Sequence, residues 1–155
     1  MVSNPPLILE PAEQELLRED VPAFARTVKD PAARERYLAL AQAVEEGTVP
    51  PELLFALEAL LELALQTKAI RRRHGPDAEK VLTDLFYRTG RGAALRQAAR
   101  DVNRALEVLA GQTIEKVSVT AAPGRHTISI NTDRASLTLS IDQGDILVDR
   151  VEVGG

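Results

Sequence analysis

The sequence predicts an α+β fold: an N-terminal bundle of about five helices, followed by a four-stranded antiparallel β-meander packed on it by one face. Three observations lead there. Apolar residues recur with helical spacing up to about residue 111 and with a period of two from Ile114 onward. Proline and glycine punctuate the first part at helix-length intervals. The separators in the second part are short and carry hairpin-turn residues.

Residues 1–10, with Pro5 and Pro6, read as an extended segment that either packs back on the bundle or clasps a neighbouring copy. Pro11 to Arg18 and Pro22 to Val28 read as one broken helix or two short ones, because a proline inside a helix removes a backbone donor. Asp30-Pro31 is an N-cap followed by proline at the first helical position, and Gly47 is a C-terminal stop, which gives a helix over 31–46. A leucine-rich helix over 51–72 follows and ends at Gly75-Pro76. The next helix runs to about Thr89, Gly90-Arg91-Gly92 separates it from a last helix over 93–110, and Gly111 stops that one.

Val117, Val119 and Ala121 then alternate with Lys116, Ser118 and Thr120; Ile128 and Ile130 with Thr127 and Ser129; and Leu137, Leu139 and Ile141 with Ser136, Thr138 and Ser140. In the fourth strand the apolar positions change parity between Ile146, Val148 and Val151, Val153, which predicts a bulge near Asp149-Arg150. Pro123-Gly124, Asn131-Thr132-Asp133 and Asp142-Gln143-Gly144-Asp145 are the turns. A one-sided apolar sheet needs a cover, and the preceding helices are available. The expected organisation is therefore a single domain over 11–155, helical over 11–111 and a meander over 112–155.

The chain has 155 residues, a net charge of −4 and no cysteine. Disulfides, thiolate zinc sites and cysteine nucleophiles are thereby excluded, and a reducing, cytoplasmic location is expected. The N-terminal stretch lacks the basic flank of a signal peptide, and Leu53 to Leu65 is interrupted by Glu58 and Glu62 and is too short to span a bilayer, so no membrane association is expected. Charge is uneven: residues 66–110 carry 10 Lys and Arg against 5 Asp and Glu, between two acidic flanks.

Chemistry is harder to find. His74 and His126 have no partner at metal-ligand spacing, and neither a nucleophile elbow nor a phosphate loop occurs. No catalytic residue, metal site or cofactor is expected. Glu58 and Glu62 share one helix face and read as a narrow solvent-facing stripe, which leaves an enzyme with a dispersed carboxylate site as the third-ranked function.

Three surfaces remain. Leu53, Leu54, Leu57, Leu60 and Leu61 belong to a helix that is apolar in nearly every direction, so it is either the central core helix or is covered by a second copy. Arg96, Arg100 and Arg104 recur at helical spacing opposite a seam of Leu95, Ala98, Val102, Leu106 and Leu109; with Arg71, Arg72 and Arg73 they form a candidate face for DNA or another anionic partner. Ser118, Thr120, Thr127, Ser129, Thr138 and Ser140 cover the outer sheet face with hydroxyls, and the sheet has no aromatic on which a nucleic-acid base would stack. The expectation is a non-enzymatic protein-interaction, adaptor or assembly module, homodimeric or bound to another protein. A DNA-associated regulator using the arginine face is the alternative.

Overall fold

The computed structural model describes residues 4–154. Among them are six helices, a four-stranded antiparallel sheet and a small two-stranded sheet, an α+β protein in which helix packs on sheet. The chain divides into two compact units, Met1–Ala93 and Ala94–Gly155.

In the first unit, strand β1 (Leu7–Ile8) leads into α1 (Pro11–Thr27) and α2 (Pro31–Glu46). Strand β2 (Thr48–Val49) and a 3-10 turn at Pro51–Leu53 come next, then α3 (Leu54–Gln66), α4 (Ala69–His74) and α5 (Pro76–Phe86). The ends of α2 match the sequence expectation. Asp30 accepts a hydrogen bond from the Ala33 amide at 2.9 Å, and Gly47 takes the left-handed conformation at φ 78°. The Asp30→Ala variant should lose about 1 kcal/mol of stability, the ordinary worth of such a cap, measured by urea denaturation followed by circular dichroism.

Three elements depart from expectation. Residues 11–27 form one continuous helix with Pro22 inside it. Its neighbours Leu17, Val21 and Ala25 are fully buried, and α1 packs on α2 and α5. That packing outweighs the roughly 3 kcal/mol that an interior proline costs an isolated helix. The expected 51–72 helix is divided, because Lys68 adopts the left-handed conformation at φ 62°. The Thr67 hydroxyl donates to the Leu63 carbonyl at 2.9 Å, and Lys68 N closes a tighter turn onto Leu65 at 3.2 Å. Gly90 and Gly92, expected to separate two helices, instead lie inside the first turn of α6 (Gly90–Glu107), and Tyr87 to Thr89 make the separation.

Residues 1–3 of the expected extended segment lie outside the described residues; Leu7 and Ile8 turn back onto their own chain. Leu7 pairs with Val49 and Ile8 with Thr48, antiparallel. Arg88 secures this strand by donating to the Ile8 carbonyl at 3.1 Å. The core of the unit comprises Leu17, Val21, Leu40, Val44, Val49, Leu57, Leu61, Ile70, Leu82 and Leu85, each at most 1% exposed.

In the second unit, α6 precedes a meander of β3 (Ile114–Ala122), β4 (Arg125–Thr132), β5 (Ala135–Asp142) and β6 (Asp145–Val153) in spatial order 3-4-5-6. The β5–β6 hairpin turns on Gln143 and Gly144, both at positive φ, as a two-residue turn compatible with strand twist requires. The expected bulge is present. Thr138 pairs with Arg150 and Leu139 with Val148, leaving Asp149 as the extra residue. A second irregularity lies at Glu115, between the Ile114 and Lys116 pairings. Val102, with Ala105, Leu106 and Leu109, packs on Leu137, Leu139, Ile128, Ile146 and Val148, so Val102, Leu106 and Leu109 of the expected apolar seam cover the sheet.

Candidate functional site

Residues directly opposite one another in an antiparallel sheet project on the same face, so the register assigns both faces. One face holds Val117 and Val119, Ile128 and Ile130, Leu137 and Leu139, then Val148 and Val151. A single helix lies over the middle of it: Leu137 and Leu139 are buried, whereas the flanking strands leave Val117 55%, Val119 61%, Val151 42% and Val153 63% exposed. Apolar surface therefore remains open along both margins.

The other face carries the hydroxyls, but it is neither as uniform nor as free of charge as the alternation alone suggests. Ser118, Ser129 and Thr138 are half-buried and follow one another across the sheet; the next position in that row is Arg150. Thr120 is exposed and Thr127 half-buried, and their row continues through Ser140 to the exposed Leu147. Ser140 itself is fully buried and donates to Asp149 Oδ1 at 2.9 Å, with Arg125 pairing the same carboxylate at 3.1 Å. The Asp149 bulge thus has a partner set of its own. Arg150 and Glu152 form a further ion pair along β6.

The basic residues divide between the two units. Arg71 pairs with Glu79 at 3.6 Å, and Arg73 with Asp20 at 3.1 Å. Arg72, like Arg96, Arg100 and Arg104 on α6, is exposed, and Asp101 and Glu107 interrupt the α6 series. Of the leucines expected to be core or covered, Leu57, Leu60 and Leu61 are buried and Leu53 and Leu54 half-buried. The helix is not enclosed on all sides: Phe55 is 71% exposed.

Two groupings were not apparent in the sequence. The first is a cavity of about 400 Å³ between α1, α3 and α4, walled by Ala23, Phe24, Leu60, Leu63, Ala64, Ala69 and Ile70, with Asp20 and Arg73 as its charged groups. Asp20 Oδ1 pairs with the Arg73 guanidinium at 3.1 Å and shares a hydrogen bond with His74 Nε2 at 2.9 Å. Asp20 is buried and His74 half-buried, and this triad ties the end of α4 to α1. Thr27 and Thr67, also on the wall, donate to their own helix carbonyls, so the cavity presents mainly apolar surface.

The second grouping surrounds the start of α6. Glu58 accepts from the Arg91 amide at 2.7 Å and Glu62 pairs with the Arg91 guanidinium at 3.5 Å, so the acidic pair read as a solvent-facing stripe holds a helix N-terminus, where negative charge is favourable. Thr89, almost fully buried, accepts from the Gly92 amide at 3.2 Å. Nearby, Glu13 is buried against Arg88; burial pushes its carboxyl above the usual glutamate range, and the Arg88 guanidinium partly opposes that.

Among the described residues, no group of three or more His, Cys, Asp or Glu is placed to hold a metal ion, and no helix is long and apolar enough to cross a membrane. No family model, curated protein or solved structure matches the chain.

Proposed function

We propose that the chain is a non-enzymatic protein-interaction module that works in assembly, with a second copy of itself as the first partner. The observation that carries this reading is the incompletely covered sheet, on which Val117, Val119, Val151 and Val153 stay between 42% and 63% exposed although one helix covers the centre of the same face. Neighbouring apolar side chains left exposed at a sheet margin, as Val117 and Val119 are on β3, are the kind of surface that marks association sites. The exposed Phe55 points the same way, since exposed aromatics are enriched at protein contacts.

The DNA-associated alternative rests on Arg96, Arg100 and Arg104. Acidic residues interrupt that series, and two of the three arginines in the Arg71 to Arg73 run are paired within the chain. Light scattering behind a sizing column separates the readings. Assembly predicts a mass of twice the 16.9 kDa chain that added duplex DNA leaves unchanged. The alternative predicts a protein–DNA complex that weakens steeply between about 50 and about 200 mM salt. A single-chain mass together with such a complex would overturn the assembly reading.

A further inference from the structure

The two edges of the sheet are protected very differently. Along β6 the bulge at Asp149, the Arg125–Asp149 pair and the Arg150–Glu152 pair set charge and irregular backbone against any added strand, the usual means by which an edge is kept from pairing. Along β3 the irregularity at Glu115 and the charge of Lys116 stand at the beginning. Val117 to Ala122 then run without charge, proline or bulge, and all but Ser118 are exposed. This is an open strand edge with two exposed valines directly beside it.

We propose that β3 is the self-association edge of this protein: two copies pair β3 to β3 antiparallel about a two-fold axis at Ser118, joining two meanders into one eight-stranded sheet. The inference rests on the assembly reading above and names its surface. A second copy fits because the edge is complementary to itself. With the axis at Ser118, Val117 faces the partner's Val119 on the apolar side, and Val119 faces the partner's Val117. Lys116 faces the partner's Thr120 and Glu115 the partner's Ala121, so no like charges meet. An axis one residue further on, at Val119, would keep only one valine–valine pair. The second unit carries 7 Lys and Arg against 8 Asp and Glu, so the two units that would meet are themselves close to neutral. Main-chain hydrogen bonds supply the attraction, as in other strand-addition interfaces, and the valines exclude water from one side of them.

Edge pairing over so few residues buries less than the ~1,200–2,000 Å² of a tight complex, so dissociation is expected in the micromolar range. The test uses the full chain across that range. Val117→Lys/Val119→Lys should lower the light-scattering mass from two chains to one with an unchanged circular dichroism spectrum, and Val151→Lys/Val153→Lys on β6 should leave the dimer intact. Because the chain has no cysteine, Ser118→Cys can form a disulfide only between copies. Directly opposed residues in an antiparallel pair have Cα atoms about 4.5–5.5 Å apart, within disulfide reach. Ser118→Cys should therefore crosslink under mild oxidation, with Thr120→Cys lagging at least ten-fold in rate. A dimer that survives the β3 double substitution overturns this interface and leaves the assembly reading in place. A single-chain mass at every concentration overturns both, and equal crosslinking at the two cysteine positions overturns the register.

Discussion

Replacing Gly92 with alanine should destabilise the first unit by at least about 3 kcal/mol, although a helix-interior alanine normally gains about 1 kcal/mol over glycine. The sign is decided by space. A Cβ at Gly92 would stand 1.8 Å from the Phe86 carbonyl oxygen, 2.4 Å from its carbon and 2.9 Å from Tyr87 Cα. These are backbone atoms at the end of α5 and cannot rotate away. The first turn of α6 would have to move off α5, which would also pull the Gly92 amide from Thr89 and the Arg91 amide from Glu58. Gly90 supplies a matched control two residues earlier, since its nearest neighbour would be Glu58 Oε2 at 3.9 Å. Gly90→Ala should be neutral or slightly stabilising. Urea denaturation of the two variants checks this; equal stability would mean that the close approach does not constrain the fold. With total stabilities of about 5–15 kcal/mol for native proteins, a loss of 3 kcal/mol should also lower the melting temperature by roughly 10 °C.

Removing the Arg88 side chain should be the next most damaging change, at about 2 kcal/mol, and its effect should grow with pH. Arg88 donates to both oxygens of Glu13 and to the Ile8 carbonyl, so it compensates a buried carboxylate and anchors β1 together. The Arg88 side chain is 39% exposed, which keeps the figure below the 3–5 kcal/mol typical when a fully buried pair is broken. Glu13 has a folded-state pKa above its unfolded value, because burial outweighs the attraction of Arg88. The stability contributed by such a group is fully present below the unfolded glutamate range and is lost as pH rises through the folded value. Without Arg88 that folded value climbs further. The difference between Arg88→Ala and the parent protein should therefore be small at the acid end, where Glu13 is neutral in both, and largest near neutrality. Glu13→Gln in the Arg88→Ala background should flatten the profile. A difference independent of pH would show that Arg88 acts only through Ile8 and packing.

Much of the second unit was legible because its signals are local. Strand alternation has a period of two, and the parity change from Val148 to Val151 placed the bulge at Asp149. The apolar seam of α6 has the helical period, and its members Val102, Leu106 and Leu109 are the residues that meet the sheet. The ends of α2 were equally readable, since Asp30, Pro31 and Gly47 act on backbone within one turn of themselves.

Other features depended on partners distant in sequence. Nothing near Glu58 indicates that it will receive an amide from residue 91, so the Glu58 and Glu62 pair resembled a solvated stripe. Asp20 gave no sign of Arg73 and His74 for the same reason. Strands of two residues, such as Leu7–Ile8 and Thr48–Val49, are too short to show any period. Lys68 holds a left-handed conformation usually left to glycine, so the end of α3 carried no conventional stop signal.

Readable in the residues alone were the succession of helices and then meander, the hairpins, the bulge on β6 and the helix seam that meets the sheet, because each is written in residues at most a few positions apart. The tertiary structure alone decided that Pro22 stays inside a helix, that Gly92 admits no side chain, and that Ser140 is buried under the Asp149 bulge. It also decided which valines stay exposed, since the helix covers β4, β5 and the first part of β6 and leaves Val117, Val119, Val151 and Val153 open. Those outcomes depend on which surfaces meet across long stretches of chain, and side-chain periodicity carries no record of that.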